Sequence, residues 1–176
     1  MSMVLETERL IVRELVGADA PFIHALLTDA DFRANIGHRG VDTLEDAERA
    51  IGERFRAAYA QHGFGMWAVE GKAEGRTLGM AGLVRREGLE HVDVGYAFLP
   101  EARGRGYAKE AARGVLDWAG ARGIAPVVAI VNADNAGSIR VLETLGLVVD
   151  KAVRLPGADQ DVMLYVPTAM ISGACA

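Results

Sequence analysis

Between His91 and Lys109 the chain passes from strand alternation, through a glycine-rich cationic turn, into a helix, and few folds accommodate that succession. Alternation places Val92, Val94, Tyr96 and Phe98 on one strand face and Asp93, Gly95, Ala97 and Leu99 on the other. The turn that follows holds Arg103, Gly104, Arg105 and Gly106, and a helix is expected to open near Tyr107 or Ala108. Glycines at these positions let backbone approach a ligand closely, and a helix start directs unpaired N–H groups and a positive dipole end into the same space. Such a turn is built for phosphate. An ordinary strand-to-helix turn would use the same glycines for tightness.

Spacing excludes two other phosphate sites. A dinucleotide fingerprint begun at Gly104 needs a third glycine where Lys109 stands. The Gly71-Lys72 pair is followed by Ala73, so no Walker loop is present either. With 176 residues, 51% hydrophobic and 24% charged, the chain has the size and composition of one soluble globular domain with a full core. No apolar run reaches the roughly 20 residues of a membrane span. The first ten residues lack a basic region followed by an apolar stretch, which implies a cytoplasmic setting. A net charge of −5 argues against broad nucleic-acid binding, so the phosphate is expected on a small molecule. Cys175, the single cysteine, reads as a tail thiol. His24, His38, His62 and His91 have no metal-ligand spacing, and no metal is expected.

In chain order, Arg9–Arg13 reads as a short strand, followed by a helix capped by Asp19 with Pro21 in its first turn. The stretch 29–42 has no legible pattern. Thr43 to Asp46 is a capping box, and Leu44, Ala47, Ile51, Phe55 and Tyr59 predict a helix ending near Gly63. Met66–Glu70, Thr77–Val84 and His91–Leu99 predict an antiparallel meander. A helix from Ala108 to about Arg122, a strand Pro126–Val131, a helix Asn135–Leu145 and strands Val148–Val153 and Val162–Val166 follow. Residues 1–167 are expected to form one domain, with 168–176 a patternless tail. Trp67, Trp118 and Phe55 are expected in the core, and packing is the expected role of Tyr96 and Tyr107.

Arg103 to Ala108 fit Gln/Arg-x-x-Gly-x-Gly/Ala, which resembles the acyl-coenzyme A pyrophosphate loop of the GNAT superfamily of N-acetyltransferases. The run Asn135-Ala-Gly-Ser138 through Gly146-Leu147 resembles the Asn-x-x-Ser...Gly-Phe helix of the branch that includes ribosomal-protein N-terminal alanine acetyltransferases. The opening Thr7 to Arg13, the pair Gly95-Tyr96 and the segment Gly106 to Ala111 resemble the same branch, so the likeness spans residues 5 to 166.

The resemblance implies an α/β fold with a mixed, twisted central sheet, antiparallel in its first half, flanked by about four helices. It implies that the strand ending at Leu99 splays from Pro126–Val131 to admit acetyl-coenzyme A, with backbone near Phe98 and Leu99 meeting the pantetheine arm. Arg103, Gly104, Arg105, Gly106, Tyr107 and Ala108 would then hold the pyrophosphate, and Asn135 would touch the cosubstrate near its reacting end. The implied reaction is acyl transfer to a primary amine, a peptide N-terminus or a small molecule, in a monomer or homodimer. A non-catalytic acyl-coenzyme A sensor is the alternative.

Three positions depart from the family pattern. Leu142 stands where many members carry a proton-donating tyrosine, which leaves Ser138 or water as the acid. Asp93 replaces a longer Glu as base candidate; a solvated strand residue is its other reading. Lys109 replaces a common Thr, either as a phosphate contact or as a solvent-facing residue. Asn135 reads both as a ligand contact and as an N-cap.

Overall fold

A computed structural model describes residues 2–172. Cys175 lies outside them. Strands β1 (Met3–Glu6) and β2 (Leu10–Arg13) open the chain, and α1 (Ala20–Thr28), α2 (Ala30–Ile36) and α3 (Leu44–Ala50) follow. From α3 a wider π-type stretch, Ile51–Arg56, runs into α4 (Ala57–His62). Next come β3 (Met66–Gly71), β4 (Arg76–Val84), β5 (Val92–Phe98), α5 (Tyr107–Ala121), β6 (Val127–Val131) and α6 (Ala136–Thr144). Strands β7 (Leu147–Val153) and β8 (Val162–Pro167) and a short α7 (Thr168–Ser172) complete the described residues. No helix among them is long and apolar enough to cross a membrane.

All eight strands form one sheet in the order β1-β2-β3-β4-β5-β6-β8-β7. Pairing is antiparallel from β1 through β5 and again among β6, β8 and β7; β5 and β6 alone run parallel. The mixed sheet and the meander agree with the sequence reading.

Because side chains alternate across a strand, neighbours such as Trp67 and Ala68 serve opposite faces. Trp67, Val94 and Phe98 pack with Ala111, Ala112 and Val115 of α5. Ala68 and Met80 pack with Ile23, Leu26, Ala47 and Phe55 from the helices of the other layer. Burying each large apolar side chain contributes roughly 1.5–3 kcal/mol, so both helical layers are held by the sheet. Trp118 is half-buried, edge-on to Trp67 with ring centroids 4.9 Å apart.

Local chemistry explains most of the element ends. Thr43 Oγ1 accepts from Asp46 N–H and the Asp46 carboxylate accepts from Thr43 N–H, completing the capping box. Asn135 caps α6 by accepting from Ser138 N–H. Asp19 is different from expectation. Its carboxylate makes no cap bond to α1; it accepts from Val16 N–H and from both terminal nitrogens of Arg13 at 2.8 Å, in a buried pair. The charge of a nearby guanidinium outcompeted the helix N-terminus for it. The stretch 29–42 is not irregular throughout, since α2 occupies its first half, capped by Asp29. β1 was not legible, and α7 occupies the start of the expected tail.

Candidate active site

Strands β5 and β6 pair only at Val92–Val127 and Asp93–Val128 and then separate. Leu99 N–H donates to Leu78 C=O, so antiparallel alternation also turns the backbone groups of Ala97, Gly95 and Asp93 towards β4. Tyr96 and Phe98 therefore turn theirs into the gap. Phe98 C=O is taken by Arg103 Nε at 3.0 Å, which leaves both Tyr96 backbone groups and Phe98 N–H facing it. The gap opens into a cleft of about 990 Å³ that Asp93, Tyr96, Asn135, Ser138 and Leu142 help to line.

The glycine-rich turn lies at the C-terminal end of β5. Gly104 and Gly106 have φ of 72° and 80°, the left-handed region that only glycine enters readily. Gly106 is the N-cap of α5 and offers no side-chain cap. The backbone N–H groups of Gly104 to Lys109 meet no acceptor among the described residues. Six adjacent donors at the positive end of a 15-residue helix form an anion cradle. Lys109 is exposed and has no ion-pair partner among the described residues.

The two loop arginines are already committed. Arg103 donates to Phe98 C=O and reaches Asp29 and Asp31 of the α2 start, each at 2.6 Å, and its own N–H is bonded to Pro100 C=O. It straps the loop to α2. Arg105 pairs with Glu74 at 3.0 Å, and the Tyr107 hydroxyl donates to the same carboxylate at 2.8 Å. That hydrogen bond, with the charge of Arg105, holds Glu74 below its usual pKa.

Arg9 and Thr7 brace the cradle from the turn between β1 and β2. Arg9 bonds Arg105 C=O at 2.9 Å, and Glu110 accepts from Arg9 Nε and from the Thr7 hydroxyl, both at 2.6 Å. Burial opposes the charge on Glu110, but these bonds outweigh it and lower its pKa. A Cβ on Gly106 would come within 3.3 Å of the Arg9 guanidinium. The opening Thr7-Glu-Arg9 gave no sign of this brace because its partners lie about a hundred residues away.

Ser138 is joined by a residue expected only to pack. The Tyr96 hydroxyl lies 2.9 Å from Ser138 Oγ and 3.1 Å from Ser138 C=O. Burial pushes the Tyr96 pKa up to about 12. Leu142, at the position of the family's tyrosine, is buried. The one signal available in the sequence was Tyr96 itself, on the face beside the gap. Asp93 is 1% exposed, so it is not a solvated strand residue. Its carboxylate accepts from Arg86 Nε at 2.9 and 3.1 Å. Burial raises its pKa and Arg86 offsets part of that rise. Asn135 spends its Oδ1 on the cap of α6, leaving its amide nitrogen for a ligand.

Comparison with known proteins agrees with this geometry. Residues 9–148 match the family described as acetyltransferase (GNAT) domain. YoaA of Bacillus subtilis, an uncharacterized N-acetyltransferase, is 28% identical over 148 residues, 83% of each chain. YkkB of the same organism is 35% identical over 96 residues, so the match spans 53% of this chain and about half, 56%, of YkkB. The acetyltransferase from Agrobacterium tumefaciens strain C58 superposes with a TM-score of 0.77 over 92% of each chain at 26% identity. RimL, the ribosomal L7/L12 α-N-protein acetyltransferase solved in complex with coenzyme A, shares the fold with a TM-score of 0.78 at 16% identity, over 94% of this chain and 97% of its own. On its matched residues and its fold, the chain belongs to the GNAT family of acetyltransferases.

Proposed function

We propose that this chain transfers an acetyl group from acetyl-coenzyme A to a primary amine by direct attack, with both substrates bound together. The observation that carries the reading is the gap between β5 and β6, which opens onto the cleft while six free N–H groups stand at its phosphate end. Those donors fit a pyrophosphate, and the free backbone groups of Tyr96 and Phe98 fit an amide-bearing arm laid in like an added strand. Neighbours solved with coenzyme A or acetyl-coenzyme A share the fold. Arg103 is a positioning residue in this reading, Lys109 supplies charge that is unpaired among the described residues, and Arg105 adds charge that Glu74 partly offsets.

The thioester supplies the activated acyl group, and the protein's residues manage charge and protons around it. Phe98 or Tyr96 N–H, aimed into the gap, stabilises negative charge growing on the thioester oxygen. Tyr96, near 12, is a weaker acid than a thiol, which titrates near 8.5. It therefore does not surrender its proton to the departing sulfur. Its proton is shared between Ser138 C=O and Ser138 Oγ, which leaves the Ser138 hydroxyl to donate a hydrogen bond to the sulfur as that departs as thiolate. Asp93 holds Arg86 at the cleft wall and is a positioning residue, and water in the open cleft takes the proton of the amine. A peptide N-terminus and a small-molecule amine both meet these requirements.

Thiol release from acetyl-coenzyme A, followed over a panel of N-terminal peptides, amino acids, polyamines and aminoglycosides, tests the reading. Turnover with at least one acceptor is expected. Tight binding without turnover of any acceptor would leave an acyl-coenzyme A sensor. Gly106→Glu puts bulk and negative charge at the cradle and is expected to weaken acetyl-coenzyme A binding at least tenfold in calorimetry, since charge-assisted hydrogen bonds contribute about 1.5–3 kcal/mol each.

A further inference from the structure

Away from the phosphate end, the same cleft is walled by Arg39, Arg54, Arg85 and Arg86, with His38 and His62 nearby. Among the described residues Asp93 is the one carboxylate in its lining, so four guanidiniums against one carboxylate leave a formal excess of three positive charges there. This stands against a chain whose acidic residues outnumber its basic ones, 24 to 19. The cations are not neutralised from within. Asp93 is occupied by Arg86. Arg39 donates to Ile36 C=O, and Arg54 donates to Arg39 C=O at 2.7 Å, so these two meet dipoles rather than charges. Arg85 has no ion pair among the described residues. Desolvation, with the positive charges of Arg86 and Arg54, lowers the pKa of Arg39.

Guanidiniums that outnumber the carboxylates of a cleft repel one another, and an anion that enters relieves the repulsion. Their planar forks match carboxylate and phosphate oxygens in pairs. Resting on the acetyl-transfer reading above, we propose that the acceptor amine carries a negatively charged group, a carboxylate or a phosphate, which Arg39 and Arg54 receive. The amine then lies towards Ser138 and Tyr96. The same positive field disfavours an ammonium there, so the arginines both hold the acceptor and keep its nitrogen unprotonated for attack.

The test uses acceptors matched in size and differing in charge, with the full chain and saturating acetyl-coenzyme A. The pairs are β-alanine against β-alaninamide, phosphoethanolamine against ethanolamine, and an Asp-led against an Asn-led tripeptide. The anionic member of at least one pair is expected to have a kcat/KM higher by about tenfold or more, the worth of one charge-assisted contact. The pair with the largest ratio identifies carboxylate or phosphate as the group. In Arg39→Gln/Arg54→Gln the ratio is expected to fall towards one, whereas Arg122→Gln, at the far end of α5, retains it. Equal rates within every pair, or a preference for the neutral member, overturns the proposal while leaving acetyl transfer standing.

A second measurement reads the anion site without turnover. With saturating coenzyme A filling the cradle, 10-millimolar-range glutarate or methyl phosphate is expected to raise the melting temperature of the parent and not of the double variant. Should no acceptor release thiol, that shift would support the anion site while acetyl transfer fails. Absence of both the shift and any charge preference overturns the anion site.

Discussion

Ser138 and Tyr96 sit 42 residues apart in sequence and 2.9 Å apart in space. If their hydroxyls act as one chain of donors, Ser138→Ala and Tyr96→Phe should each lower kcat by about tenfold or more with little change in acetyl-coenzyme A affinity. The double variant should be little worse than either single one, because residues acting as a unit are not additive. Two independent effects that multiply would show the hydroxyls to act separately. Asp93 allows a prediction of opposite character, about stability. Its pKa is raised by burial and partly restored by Arg86. Removing that partner in Arg86→Met raises it further. A carboxyl whose folded pKa lies above its unfolded value stabilises the fold at low pH and loses that contribution as pH climbs from the unfolded to the folded value. As pH rises above the ordinary carboxylate value of about 4, the variant's melting temperature should therefore fall more steeply than the parent's. Parallel curves would mean that Asp93 remains charged without Arg86.

Among the elements, β2 shows how one short strand serves both layers. Leu10 and Val12 face the α5 side, and Arg13 turns to the buried pair with Asp19 and to Glu70 at 3.2 Å. Hydrogen bonds from Arg13 and Val16 lower the Asp19 pKa against the opposing effect of burial, which is the largest single influence. A depressed carboxyl stabilises the fold above its unfolded pKa and stops doing so as pH falls through the folded value. Asp19→Ala should cost about 3–5 kcal/mol in urea unfolding at pH 7, because it strands a buried guanidinium, and the loss should shrink towards pH 3. A cost near 1 kcal/mol at both pH values would mark an ordinary cap. The sequence could display what neighbouring residues decide together: the Thr43 capping box, the period-2 runs of β3 to β5, and the glycines around α5. It could not display Asp19's partner or the insertion of β8 between β6 and β7, since those depend on contacts across the fold. At the candidate site the loop and the Asn135–Ser138 turn were legible. The commitment of Arg103 to α2 and the meeting of Tyr96 with Ser138 were not. α2 was missed because its seven residues carry one buried apolar side chain, Phe32, and so no periodic stripe.

On the scale of the molecule, one guanidinium joins the strand beside the gap to α2. Arg103 holds Phe98 C=O on the strand that borders the gap, and with its other nitrogens it holds Asp29 and Asp31 at the start of α2, whose Asn35 and Ile36 line the far side of the cleft. Asn132, at the end of β6, also donates to Asn35 C=O at 2.8 Å. If filling the cradle stiffens the loop, the strap passes that order to α2. The two ligands then share a coupling free energy, which is reciprocal: whatever factor coenzyme A applies to acceptor affinity, the acceptor must apply to coenzyme A. Calorimetry is expected to find each ligand binding about fivefold or more tightly in the presence of the other, the lower end of usual coupling. In Arg103→Gln both factors should drop to one together. Unchanged coupling there would confine Arg103 to its local bonds. Cooperative filling has a corollary for occupancy: in Arg103→Gln each ligand alone should still bind as before, and only the doubly filled state should become rarer.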